Sequence, residues 1–150
     1  MAVNAGDFAL VVGIDDYPEY RPLLGAIQDA KEFADWLCDP STGGGLPAAN
    51  CKCVFSTPSP IRPYQNDIDD RLDEIINQLG SGRGRRFYFY FSGHGLAESR
   101  LASDLCLARW SARRRNLALD SSDYLELMLG LGKFEEVVFF MDCCRVRMVS

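Results

Sequence analysis

Along the chain, short runs of uninterrupted apolar residues alternate with longer stretches of helical period. The run Phe8-Ala9-Leu10-Val11-Val12-Gly13-Ile14 is apolar throughout, as in a strand buried on both faces. A turn-rich segment with Pro18 and Pro22 follows. Residues 24–37 then place Ile27, Ala30, Phe33, Ala34 and Leu37 three and four apart, which predicts a helix with one apolar face. Asp39-Pro40 and the glycines 43–45 end it. Residues 51–55 predict a short strand and the proline-bearing residues 58–63 a loop. A second helix is predicted over 67–79, with Ile68, Leu72, Ile75, Ile76 and Leu79 inward and an acidic first turn that suits the helix dipole. After a glycine-rich link at 80–84, Arg86-Phe87-Tyr88-Phe89-Tyr90-Phe91 is the strongest strand signal, and it stops at Ser92-Gly93-His94-Gly95. Residues 104–108 predict another short strand, and Ser121 or Ser122 caps a helix over 123–131. A last buried strand, 136–141, runs directly into Asp142-Cys143-Cys144.

This alternation predicts one α/β domain over residues 1–150, an open, doubly wound, mostly parallel sheet with helices on both faces. Ligands of such sheets bind beyond the carboxyl ends of the strands. Two of the predicted strands end in chemically capable residues, one in His94 and the other in Cys143-Cys144. Parallel strands put both ends on the same side.

Composition narrows the field of functions. A net charge of −5 argues against a general nucleic-acid binder, because neutralising phosphates requires a basic face. The local exceptions, Arg83, Arg85, Arg86 and Arg113 to Arg115, read as solvated surface. No run of about 18 apolar residues occurs, so no membrane span is expected. Residues 1–7 lack the charged start and apolar stretch of a secretory signal, and a cytoplasmic location with reduced thiols follows as the expectation. Six cysteines without a C-x-x-C pair, beside a single histidine, do not form a zinc motif.

Thiolate chemistry explains the strand ends better. In cysteine catalysis an imidazole takes the thiol proton and later protonates the leaving amine. The only histidine lies between Gly93 and Gly95, which permit a tight turn and close approach of a substrate backbone. The N–H groups of Gly95 and Cys144 are candidate donors to the oxyanion of acyl transfer.

Four segments resemble, in order, the landmarks of the caspase and metacaspase family of cysteine peptidases. They are residues 8–14, Leu24-Gly25-Ala26-Ile27-Gln28-Asp29-Ala30, Phe91-Ser92-Gly93-His94-Gly95 and Phe139-Phe140-Met141-Asp142-Cys143-Cys144-Arg145. In caspases the nucleophile follows Gln-Ala and precedes Arg, Gln or Gly, with the histidine about 50 residues upstream. His94 precedes Cys144 by 50 positions, and Cys144 directly precedes Arg145. The resemblance therefore implies His94 and Cys144 as the catalytic pair and Cys143 as a packing residue. It also implies Asp142 as the floor of the primary specificity pocket. Metacaspases carry an aspartate there and cleave after Arg or Lys, in keeping with the need of a desolvated carboxylate for a cation. Asp29 resembles a second acidic position of that family, and a surface or structural aspartate on a helix is the other reading of it.

The implied partner is thus a polypeptide with a basic residue before the scissile bond, and no cofactor is implied. Some metacaspases depend on calcium, but Asp67, Asp69, Asp70 and Asp73 have the spacing of a solvated helix face. After Cys144 only residues 145–150 follow, without the strands of the family's small-subunit segment. The expectation is a large-subunit domain, C-terminally incomplete, with an exposed sheet edge. A reading from another class stays open beside the peptidase: a non-catalytic caspase-like module that binds partners or regulates a neighbouring domain. A nucleotide-binding fold has no support, since no G-x-G-x-x-G opens a helix after a strand.

Overall fold

The computed structural model describes residues 3–97 and 103–146. In chain order they form β1 (Asp7–Gly13), α1 (Ala26–Cys38), β2 (Cys51–Phe55), β3 (Thr57–Pro58), β4 (Ile61–Arg62), α2 (Gln65–Leu79), β5 (Gly84–Ala97), β6 (Ser103–Cys106), β7 (Ala118–Asp120), α3 (Ser121–Leu131) and β8 (Phe134–Val146). Strands β2, β1, β5 and β8 lie side by side and all parallel. β6 runs antiparallel to the far end of β5, and β7 antiparallel to β6.

β5 is the hub of this sheet. β8 follows one of its edges from Gly84 to Leu96. A strand has only two edges, so β1 and β6 share the other, β1 at residues 86–92 and β6 at 95–97.

Strand alternation sorts the core into two faces. Phe8, Leu10 and Val12 of β1 join Phe87, Phe89 and Phe91 of β5 under α2 and α3, which supply Ile68, Leu72, Ile75, Tyr124 and Met128. Ala9, Val11, Tyr88 and Tyr90 face α1, which supplies Ala30, Ala34 and Leu37. The sequence of β5 is written in this code. Its phenylalanines are fully buried on the larger face, while its tyrosines occupy the smaller face, where their hydroxyls find partners in Arg86 and Asp142. Small residues bring α1 close: a Cβ on Gly13 would stand 2.8 Å from the Cβ of Ala30. Asp7, fully buried, receives two bonds from the Arg85 guanidinium at 2.7 and 2.5 Å. Arg86 pairs with Glu136, so part of the basic band is spent on pairs between strands, whereas Arg113 to Arg115 are exposed.

The mixed α/β architecture, with a mostly parallel sheet and helices on both faces, agrees with the sequence pattern, but several boundaries differ. β5 does not stop before Ser92; it continues to Ala97 because β8 and β6 supply hydrogen-bonding partners on both edges. β8 likewise carries through Asp142 and Cys144 to Val146. The proline-bearing loop contains a two-residue hairpin, β3–β4. α3 begins at Ser121 and is capped by the Asp120 carboxylate, which accepts the N–H groups of Ser122 and Asp123 at 2.9 and 3.0 Å, not by either serine.

Candidate active site

The segment between β1 and α1 folds over the carboxyl ends of β1 and β5, and polar side chains hold it there. The Ser56 hydroxyl accepts the N–H groups of Asp15 and Asp16 at 2.9 and 3.1 Å and donates to the Asp16 carboxylate at 2.6 Å. The Asp15 carboxylate accepts the Ala26 N–H at 2.8 Å, capping a helix whose own N-cap residue, Gly25, has no side chain.

Tyr17, 1% exposed, links this segment to His94. Its hydroxyl donates to the Cys106 carbonyl at 2.8 Å and accepts the His94 backbone N–H at 2.9 Å. The imidazole lies edge-on between two tyrosine rings, with centroids 4.6 Å from Tyr17 and 4.7 Å from Tyr20. Nε2 of His94 is 2.8 Å from the Arg21 carbonyl oxygen, which can only accept. A neutral ring must therefore carry its proton on Nε2, which leaves the Nδ1 lone pair as the basic site. Burial holds the His94 pKa below its ordinary value, partly offset by the bond to the Arg21 carbonyl.

At Gly93, too, a side chain has no room. A Cβ there would stand 2.5 Å from the Tyr17 hydroxyl and 2.8 Å from the Phe91 ring. Gly93→Ala is expected to displace Tyr17 and to cost about 1–3 kcal/mol of stability, measured by chemical denaturation.

A cleft of about 590 Å³ opens beside this cluster, and its wall contains His94, Gly95, Asp29, Asp142 and Cys143. Four of the five residues singled out from sequence thus meet in one place. The backbone of the fifth, Cys144, is the register partner of His94 on the adjacent strand, and its side chain lies outside what is described. Neighbouring strands run about 4.8 Å apart, so this pairing brings the two backbones as close as a sheet allows. Cys143 is half-buried against the larger core, in keeping with a packing role. The Asp142 carboxylate accepts the Tyr90 hydroxyl at 3.0 Å, and Ser92 in turn bonds to Tyr90. Asp29 is exposed in the first turn of α1.

Sequence reasoning missed Tyr17, Tyr20, the Arg21 carbonyl and Tyr90. The signal for the first two was present. A stretch reading Asp15-Asp16-Tyr17-Pro18-Glu19-Tyr20-Arg21-Pro22 directly after a buried strand is too rich in aromatic and charged groups for a mere connection. Tyr90 was hidden inside a strand whose aromatic residues all read as core.

Comparison with known proteins settles the family. The caspase domain model matches residues 7–149. The chain belongs to the caspase-domain peptidases. A probable protease of a Desulfuromonadales bacterium is 31% identical over 153 residues, which is 93% of this caspase-domain chain and 18% of the relative. A structural-genomics protein of Geobacter sulfurreducens, solved by crystallography, shares the fold with a TM-score of 0.56 at 19% identity, over 92% of this chain and 50% of that one. The caspase-domain chain thus spans less than a fifth of the protease and half of the solved chain. Among the described residues no helix is long and apolar enough to cross a membrane.

Proposed function

We propose that this caspase-domain chain is the catalytic half of a metacaspase-type cysteine endopeptidase that cleaves after Arg or Lys. The observation that carries the reading is the His94 ring, fixed through Nε2 so that Nδ1 is free, in register with Cys144 beside a cleft that contains two carboxylates. In this scheme Nδ1 takes the Cys144 thiol proton and the thiolate attacks the scissile carbonyl. The N–H groups of Gly95 and Cys144 receive the oxyanion. The imidazolium protonates the leaving amine, and water then hydrolyses the thioester by the reverse proton route. Gly95 is in register with Leu105 on one edge and Arg145 on the other, so its oxyanion role requires the last rungs between β5 and β8 to part as substrate enters.

Asp142, held by Tyr90, is the primary partner of the substrate's cation, with Asp29 the second charge across the cleft. The fit is electrostatic: among the described side chains Arg21 is the one arginine lining this cleft, beside two carboxylates that a cationic substrate side chain would meet.

The same reading gives the chain a partner. Among the described residues β8 pairs only with β5, which leaves its outer edge open, and Phe140 and Met141 are each 40% exposed. A small-subunit segment that continues the sheet would cover this edge. A cytoplasmic setting with reduced thiols belongs to the same proposal. No metal enters the scheme. The acidic face of α2 is partly engaged elsewhere, Asp67 with Arg62, and no cluster of three or more His, Cys, Asp or Glu suited to a metal occurs among the described residues.

The test is hydrolysis of Arg-terminated and Asp-terminated fluorogenic peptides by the chain assembled with its small-subunit segment. Turnover of the first with neglect of the second is expected, and the reverse preference overturns the specificity. The pH profile gives a second check. Because burial lowers the His94 pKa, the ring stays neutral as pH falls through its ordinary 6.5, and kcat/KM should begin to fall only below that value. An acid limb above 6.5 would contradict His94 as the base.

A further inference from the structure

Peptide hydrolysis as described uses the main chain of Arg21 and leaves its side chain without a task. Four arginines of the described residues pair with carboxylates: Arg62 with Asp67, Arg71 with Glu74, Arg85 with Asp7 and Arg86 with Glu136. Arg21 is not among them, and it lines the cleft that contains His94. Its guanidinium stacks over the Tyr20 ring, 5.2 Å from the centroid, with Nη2 3.4 Å from the Tyr20 hydroxyl. The Tyr20 ring in turn packs against the His94 imidazole at 4.7 Å.

We propose that the Arg21 guanidinium receives a carboxylate on the leaving side of the scissile bond, so that the preferred substrate is cationic before the cut and anionic after it. An aspartate or glutamate side chain presents this group, as does the terminal carboxylate of a short leaving segment. The proposal rests on the peptidase reading and extends it to the other side of the bond.

The side follows from the route of the proton. The imidazole protonates the leaving amine, so the leaving segment begins at His94. Nδ1 faces the nucleophile in that scheme, and Nε2, across the ring, is 2.8 Å from the Arg21 carbonyl oxygen. Arg21 therefore flanks the imidazole opposite the nucleophile. Asp142 is in register with Ser92, two residues before the rung that joins His94 to Cys144. From the reacting bond the two charges are thus reached in different directions, the carboxylate back along the strands and the guanidinium past the imidazole.

Arg21 is also held ready. The Tyr20 N–H donates to the Tyr17 carbonyl at 3.2 Å and the Leu23 N–H to the Asp15 carbonyl at 2.8 Å, which pins the chain on both sides. Pro22 favours extended backbone at the residue before it. Stacking engages the face of the guanidinium and leaves its N–H edge for two parallel bonds to a carboxylate, a geometry that lysine cannot match. The side chain is exposed, so water weakens the pair and the discrimination expected is about threefold to fivefold.

The experiment measures hydrolysis of N-blocked peptides by the full-length protein, with products separated by chromatography. All carry Arg before the cut; after it stand Asp, Ala or Lys with an amidated end, or Ala with a free terminal carboxylate. kcat/KM should be about threefold to fivefold higher for Asp than for amidated Ala, and lower for Lys than for Ala. The preference is a ratio within one enzyme, so a change of basal activity in a variant cancels. Arg21→Gln should bring the Asp/Ala ratio to about one, and Arg21→Glu should turn the preference towards Lys. The parent's preference should also shrink near 1 M salt, where charges are screened over about 3 Å. The free-carboxylate peptide separates the two sources: a rate like that of the Asp peptide includes chain ends in the substrate class, and a rate like that of amidated Ala restricts it to acidic side chains. Equal rates on Asp and amidated Ala by a parent that cleaves after Arg, or an Asp preference that survives in Arg21→Gln, would overturn this proposal alone. No cleavage after Arg in any peptide would overturn the peptidase reading and this proposal with it.

Discussion

Cys144→Ala is expected to lower kcat/KM on an Arg-terminated peptide by about 10³-fold or more, the largest effect of any single substitution in this chain. Alanine cannot form the acyl-enzyme, so no rearrangement of the remaining groups restores the covalent route. The neighbouring residue provides the discriminating control. Cys143 is half-buried against the larger core, and Cys143→Ala should keep turnover within a few-fold while lowering stability slightly. His94→Ala should fall between these limits, about 10²-fold, since general-base assistance is lost while the nucleophile remains. An irreversible Arg-directed inhibitor should label the parent chain and the Cys143 variant but not the Cys144 variant. Equal turnover by the parent and Cys144→Ala would refute the catalytic assignment and favour a non-catalytic interaction module.

The parts of this molecule that were legible in advance are those where one physical rule acts alone. β2 was bounded correctly at residues 51–55, and α1 and α2 were found within two residues of their observed ends, because apolar spacing decides them. The ends of β5 and β8 were misjudged for a reason that lies outside either segment. A strand with Ser-Gly-His-Gly at its end has weak propensity, but two neighbouring strands supply partners there, and pairing overrides propensity. The same limit governs the site. His94, Gly95, Asp29 and Asp142 could be found because each belongs to a chemically recognisable segment, and they do line one cleft. The groups that orient His94 act through a hydroxyl and a main-chain carbonyl. Every residue has a carbonyl, so no sequence pattern distinguishes that of Arg21. The Tyr90 contact joins residues 52 positions apart and depends on the β5/β8 register.

Asp142→Asn should reduce kcat/KM on Arg- and Lys-terminated peptides by about 10²-fold. The substitution keeps size and a hydrogen-bond acceptor for Tyr90, so the wall of the cleft stays in place and only the charge is removed. A substrate guanidinium entering the cleft gives up water and must recover that energy from a carboxylate. Removing one member of such a pair costs about 2–5 kcal/mol, and each 1.36 kcal/mol is a factor of ten in rate. The loss should appear on both basic substrates and should not be recovered on Asp-terminated ones, because Asp29 still contributes negative charge. Asp29→Asn should cost less, since Asp142 is the carboxylate that the Tyr90 hydroxyl holds in place. Tyr90→Phe separates charge from placement. It leaves the Asp142 side chain in place but unheld, so kcat should fall more than KM rises if the phenol's role is to fix the carboxylate in line with the bound cation. An Asp142→Asn enzyme with undiminished Arg preference would remove Asp142 from the specificity pocket and leave the basic selectivity to be sought elsewhere in the cleft.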